Sequence, residues 1–216
     1  MLTDVELLRR MERAPLRTAR YADLEELGSN VWRALDRLAE QGAVARITKG
    51  VYTVPPAGED GRTWKPTIEA AGLAVATARF GERNAILMGL GAARHWTAIP
   101  RAIAVTTVAV PELRQPVRLD GGGTVHMIPR DLDRVEAQLE DTELGEGLVT
   151  TPRQTMYDLL MRPNQGKLPD AARDAARNFR GQVSGDDLAE ICEWYGRAND
   201  AVRDMVRDLR YGPFVA

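Results

Sequence analysis

The side chains with the clearest chemical potential lie between positions 29 and 49, and they are of types that hydrogen-bond to nucleic acid. Asparagine pairs bidentately with adenine and arginine with guanine in the major groove of DNA, whereas lysine neutralises phosphates. The free backbone N–H groups at a helix amino terminus also favour a phosphate. The candidate DNA-binding residues are Ser29, Asn30, Arg33, Arg37, Arg46 and Lys49.

A predicted helix from about Asn30 to near Gly42 positions half of this set. Its apolar residues fall on one stripe that suits burial, while Asn30, Arg33 and Arg37 project from the other side. The stripe consists of Val31, Ala34, Leu35 and Leu38. Trp32 lies on the flank, where we expect it to pack against a neighbouring element. A solvated surface is the alternative interpretation of the charged side, because acidic residues share the helix.

The elements around this helix follow the order of a winged helix-turn-helix. They are a helix capped by Thr3, a short helix closed by Gly28, the helix capped by Ser29, and strands at 43–47 and 51–54. This order predicts a DNA-binding domain over residues 1–56. Arg46 and Lys49 would then lie on the wing, which is the hairpin formed by the two strands.

A segment rich in proline, glycine and acids follows at residues 55–61 and indicates a linker or an exposed loop. We therefore predict a second domain over residues 63–216. Its predicted helices lie at 68–80, 85–96, 154–162, 169–180, 185–195 and 199–210, and its predicted strands at 103–110, 117–119, 124–128 and 148–149. The predicted class is α+β, a winged helix-turn-helix followed by a mixed domain with a small sheet and a helical carboxy-terminal half.

The composition narrows the class of protein. The chain has 216 residues, 44% of them hydrophobic and 28% charged, with a net charge of −2, as in ordinary globular proteins. The single cysteine, Cys192, excludes an intrachain disulfide and a cysteine-based zinc site. Neither an apolar signal segment nor a membrane-spanning run is evident, so we expect a soluble, cytoplasmic protein.

Motifs for catalysis or cofactor binding are not evident, so we expect neither an enzyme nor a bound cofactor or metal. Gly89-x-Gly91 follows no predicted strand and lacks the third glycine of a dinucleotide fingerprint. Gly121-Gly122-Gly123 is predicted to be a turn. His95 and His126 lack metal-ligand spacing, and each is predicted to be a core or surface residue.

Two further stretches could contact a partner. Residues 130–147 hold seven acids and could face a basic protein surface, although a charge run is usually only solvated. The last predicted helix buries Val202, Met205, Val206 and Leu209, and its arginines could contact phosphates.

Several runs resemble AbiEi-type antitoxins of bacterial type IV toxin–antitoxin systems. The first is Ala22-Asp23-Leu24 followed by 29–42 and by 47–52. Residues 87–96 are similar to a helix near the start of the family's second domain. Residues 149–160 are similar to its T-x-P-x-R-T-x-x-D-L segment, with Gln154 inserted between Arg153 and Thr155.

The resemblance implies a winged helix that binds the operon's own promoter, with inverted repeats as the expected sites. It also implies a second domain that neutralises a nucleotidyltransferase-like toxin. From the residues alone, a stand-alone winged-helix regulator with a ligand-sensing second domain is equally compatible. In both cases the first 56 residues would bind double-stranded DNA.

Overall fold

The computed structural model describes residues 3–28 and 30–212. The first region is built from α1 (Asp4–Glu12), β1 (Thr18–Arg20), α2 (Tyr21–Leu24), α3 (Val31–Glu40), β2 (Ala45–Thr48) and β3 (Val51–Thr53). The three strands form an antiparallel sheet in the order β1-β3-β2. This arrangement confirms the predicted winged helix-turn-helix.

Local sequence explains α1, α3 and the β2–β3 hairpin. Thr3 and Glu6 form a complete capping box at the start of α1. The predicted stripe of α3 is buried, and it packs with Leu7 and Met11 of α1 in one cluster. Gly50 closes the β2–β3 hairpin with φ +73°, a backbone conformation that glycine adopts at low cost.

The second region begins with α4 (Ile68–Phe80), β4 (Ile86–Met88), α5 (Gly89–His95) and β5 (Val105–Val110). It continues with β6 (Val117–Arg118), β7 (Thr124–Pro129), β8 (Ala137–Thr142), β9 (Gly145–Thr150), α6 (Pro152–Met161), α7 (Pro169–Asn178), α8 (Gly185–Tyr195) and α9 (Asp200–Tyr211). The strand order is β6-β7-β5-β4-β9-β8, with β5–β7 and β4–β9 parallel. The mixed sheet and the helices that follow it confirm the α+β class.

The sheet separates two apolar clusters, because alternate residues of a strand point to opposite faces. Leu87, Val108 and Val125 join the core that also contains α4. Ile86 and Ala109, on the other face, join a smaller cluster. The helices α5 to α9 enclose a further core of their own.

The predicted helix at 85–96 was wrong in its first part. Residues 86–88 form β4, which lies between β5 and β9 in the sheet, and α5 begins only at Gly89, where φ is +50°. The Gly89-x-Gly91 pair therefore does follow a strand. Its glycines permit close packing, since a Cβ at Gly91 would collide with the Oγ1 atom of Thr106.

The acid-rich stretch 130–147 contains a strand that the sequence analysis missed. Residues 137–142 form β8, which pairs with β9 as a hairpin at the edge of the sheet. Leu139 on this strand is exposed, and acids occupy neighbouring positions. The apolar–polar alternation that normally marks a strand is limited to Ala137–Glu140, and the rest of the strand is polar.

The winged helix and the second region pack against each other. Leu16, Ile47 and Val51 from the first region lie in the same apolar cluster as α4. In the segment between them, residues 57–59 are exposed, whereas Gly61 is buried and its N–H donates to the carbonyl of Gly42 at 2.8 Å. The domain boundary at this segment stays a prediction.

Candidate nucleic-acid interface

The exposed side of α3 carries an arginine that has no ion-pair partner among the described residues. Arg33 is exposed and makes no ion pair with any residue that the structure describes; its guanidinium carbon lies 5.0 Å from the centroid of the Trp32 ring. Trp32 is 47% exposed, so the expectation that it packs against a neighbouring element was wrong. The two side chains together present a cation and an aromatic surface to solvent.

The amino end of α3 presents Asn30. The helix begins at Val31, and the Asn30 side chain is exposed and makes no capping hydrogen bond within the described part of the chain. Its amide group is therefore free to bind another molecule. Ser29, the other candidate at this end, lies outside the described residues.

Arg37 forms an ion pair, and this pair lies at the surface. Its Nη2 atom lies 2.8 Å from the Oδ1 atom of Asp4, in the first turn of α1. The Arg37 side chain is 53% exposed. Exposed ion pairs contribute about 0–1 kcal/mol, so an incoming phosphate or base edge can displace this carboxylate.

The wing is attached to the second region through Arg46. Its Nε atom donates to the Oδ2 atom of Asp120 at 2.5 Å, and this hydrogen bond raises the pKa of Arg46. The Asp120 N–H donates to the Ile47 carbonyl at 2.8 Å, and the Thr48 hydroxyl donates to the Arg118 carbonyl at the same distance. Arg46 is therefore fixed by the turn between β6 and β7.

Lys49 lies at the tip of the wing. It is exposed and forms no ion pair with the described residues. Facing the wing from α3 is Asp36, whose charge adds to burial in raising the pKa of Tyr52. Asp36 therefore brings a negative charge to the side of α3 next to the wing, whereas Arg37 lies on the side next to α1.

Some side chains of the other charged stretches are engaged within the fold. In the acidic stretch, Glu136 pairs with Arg153 at 2.6 Å and Glu140 contacts His95 at 3.2 Å. His126 is buried, and burial, assisted by the charge of Lys167, lowers its pKa.

The described residues contain no group of three His, Cys, Asp or Glu side chains placed to hold a metal ion. None of the helices in this part of the chain is long and apolar enough to cross a membrane.

Comparison with known proteins supports the assignment of the first region. Residues 7–55 match the family model described as a transcriptional regulator, AbiEi antitoxin. This match confirms the resemblance over the winged helix. No curated protein matches the chain.

Among solved structures, the chain is similar to the RV2827C protein from Mycobacterium tuberculosis. The identity is 16% and the TM-score 0.60, with 96% of this chain and 76% of that one covered. This likeness shows a shared fold across both regions. An antigenic nucleotidyltransferase-like protein from Paracoccidioides brasiliensis has a TM-score of 0.35 at 8% identity, covering 56% of this chain and 84% of that one, which is too low to indicate a common fold.

Proposed function

We propose that the protein is a cytoplasmic, DNA-binding antitoxin of a type IV system that represses its own operon and neutralises a nucleotidyltransferase-like toxin. The proposal is supported by two findings that concern the same part of the chain. The residues that match the AbiEi family model are those of the winged helix, and its third helix offers Arg33 without a carboxylate partner among the described residues.

For DNA binding, α3 enters the major groove with its amino-terminal half foremost. Asn30 and Arg33 reach base edges, and Arg37 exchanges its contact with Asp4 for the DNA. Lys49 contacts a phosphate beside the groove. Arg46 contributes through its terminal nitrogens, since Asp120 engages the Nε atom.

For neutralisation, we assign the activity to the second region. The support for this half is the antitoxin description of the family model, together with a large region that lies outside the DNA-binding motif. Because Leu16, Ile47 and Val51 belong to a core that both regions share, the full chain is the appropriate form for a test.

Two assays in a bacterial host test the two halves separately. The DNA upstream of the gene is fused to a reporter, and the protein is co-expressed with the nucleotidyltransferase-like protein that the proposal expects to be encoded beside it. We expect repression of the reporter and rescue of growth. Repression without rescue would instead support the stand-alone, ligand-sensing regulator, and rescue without repression would remove the DNA-binding role.

A further inference from the structure

The wing is hydrogen-bonded to the second region at three consecutive residues of β2. The contacts join Arg46 to the Asp120 carboxylate, Ile47 to the Asp120 N–H, and Thr48 to the Arg118 carbonyl. Leu119, which lies between these two partners in the chain, is buried in the apolar cluster that also contains Ile47. Both the main chain and a side chain of the second region therefore determine where the wing lies.

A β-bulge in the wing provides the place for this contact. The β2–β3 register shifts between Arg46 and Thr48, so Ile47 is an extra residue on β2. The extra residue of a bulge is left unpaired in the ladder, and here its carbonyl accepts the Asp120 N–H at 2.8 Å. Bulges also re-aim the side chains beside them, and Arg46 immediately precedes this one.

The turn that carries Asp120 is itself closed by hydrogen bonds. The Gly122 N–H donates to the Leu119 carbonyl at 3.0 Å, and the Leu119 N–H donates to the Gly123 carbonyl at 3.1 Å. The main chain of Asp120 is therefore fixed on both sides, and its carboxylate meets Arg46 from a defined position.

The bond to Asp120 leaves the outer end of Arg46 available. A guanidinium has five N–H donors, and the carboxylate engages the one on Nε. The Arg46 side chain is 57% exposed, and its terminal nitrogens make no hydrogen bond to a residue that the structure describes. A side chain that is already held in its binding orientation loses less freedom when it binds, so such a support strengthens the contact.

Charge alone predicts the opposite effect of Asp120. A carboxylate beside a DNA surface repels phosphates, so its removal would strengthen binding if charge were its only influence. A carboxylate that orients Arg46 has the reverse consequence, because its removal leaves the arginine free to move. The sign of the change in affinity therefore distinguishes the two roles.

We propose that Asp120 is a positioning residue of the DNA-binding surface, which holds Arg46 so that the terminal nitrogens of its guanidinium meet a phosphate beside the groove that α3 enters. The inference rests on the proposed function, under which the wing contacts the DNA. It makes the turn between β6 and β7 part of the DNA-binding apparatus, although Asp120 acts through Arg46 and not through a contact of its own with DNA.

The test measures the affinity of the full-length protein for the DNA upstream of its gene, by fluorescence anisotropy over a range of salt concentrations. The variants are R46A, D120A, D120N and the double variant with R46A and D120A. The matched control is D186A, because Asp186 accepts a hydrogen bond from the Nε atom of Arg210 at 2.9 Å, between α8 and α9.

We expect R46A to weaken binding about tenfold and D120A about fivefold, and each to reduce the slope of log K against log salt by up to about one. D120N keeps an oxygen that can accept from Nε and removes the negative charge, so it should bind at least as tightly as the wild type. In the double variant, D120A should add no further loss to that of R46A. The D186A control should stay within about twofold of the wild type.

The outcomes separate the role of Asp120 from the proposed function. If the wild-type protein binds the DNA and D120A binds it equally well or more tightly, the positioning role is overturned and DNA binding stands. An equal loss from D120A in the presence and absence of Arg46 would also overturn it, because Asp120 would then act through the fold of the wing. If the wild-type protein does not bind the DNA, the proposed function fails and this inference fails with it. Thermal melting shows whether each variant folds; because the Arg46–Asp120 pair lies at the surface, we expect each to do so.

Discussion

Helices α3 and α9 are both amphipathic and both carry arginines four residues apart, but the structure engages those arginines differently. In α9, Arg203 and Arg207 pair with Asp200 and Asp204, at 2.5 and 2.8 Å. Each acid stands three residues before its arginine, a spacing at which side chains on a helix meet. The charges of Arg203 and Arg207 are thereby balanced by acids of the same helix.

In α3 the corresponding positions hold uncharged residues. Asn30 stands three residues before Arg33, and Ala34 three residues before Arg37. Arg33 is left without an ion pair among the described residues, and Arg37 finds a carboxylate only on another helix, at Asp4. Asp36 and Glu40 share this exposed face, which has no net charge, but among the described residues neither acid forms an ion pair with an arginine of the helix.

The comparison shows that arginine content alone does not identify a nucleic-acid surface. Helix α7 repeats the pattern of α9, since Asp170 and Asp174 pair with Arg173 and Arg177. The informative feature is the residue three positions before each arginine. On this criterion Arg33 differs from the arginines of α7 and α9, whereas Arg37 shares with them an exposed carboxylate partner.

Removing the arginines of α3 or of α9 is expected to give the largest difference in DNA affinity. A variant with R33A and R37A should bind the upstream DNA on the order of 100-fold more weakly, because each base-reading arginine contributes about 1–3 kcal/mol. The matched variant with R203A and R207A removes the same charge and should stay within about twofold. Fluorescence anisotropy at physiological salt measures the DNA affinity of both variants. Equal losses of affinity would show that only the total charge of the protein matters.

Converting α3 to the α9 pattern is expected to have a smaller effect. The N30D variant places a carboxylate three residues before Arg33 and should weaken DNA binding about tenfold. Asp is a good N-cap residue, so the melting temperature should not fall. The N30A control removes the amide without adding charge and should lose less affinity. If N30D binds DNA as well as the wild type, Arg33 is not at the interface.

The smallest effect is expected at the wing tip. The K49A variant should lose about threefold in affinity, uniformly across sequences, and reduce the slope of log K against log salt by about one. K167A, which removes an exposed lysine from the loop after α6, serves as the control. A salt slope unchanged in K49A would place Lys49 outside the interface.

The parts of the fold that were predictable carry strong local signals. The stripe of α3, the capping box at Thr3 and the β-branched run of β5 each specify an element on their own. The β4 strand was misassigned because a three-residue apolar run fits a buried strand as well as a buried helix. Its position in the sheet depends on partners about 20 and 60 residues away along the chain.

The candidate site was predictable only in its local part. The exposure of Asn30, Arg33 and Lys49 follows from helix periodicity and from the hairpin. The engagement of Arg46 by Asp120 does not, because the two residues are 74 positions apart.

The central claim, that α3 reads base pairs through Arg33, is tested most directly by a panel of operator duplexes. Each duplex carries one changed base pair, and its affinity is measured for the wild type and for R33A at one salt concentration. We expect R33A to lose discrimination at one base-pair position and to keep it elsewhere. An R33A profile that keeps every preference of the wild type, with only a uniform loss of affinity, would contradict the claim and restrict Arg33 to a phosphate contact.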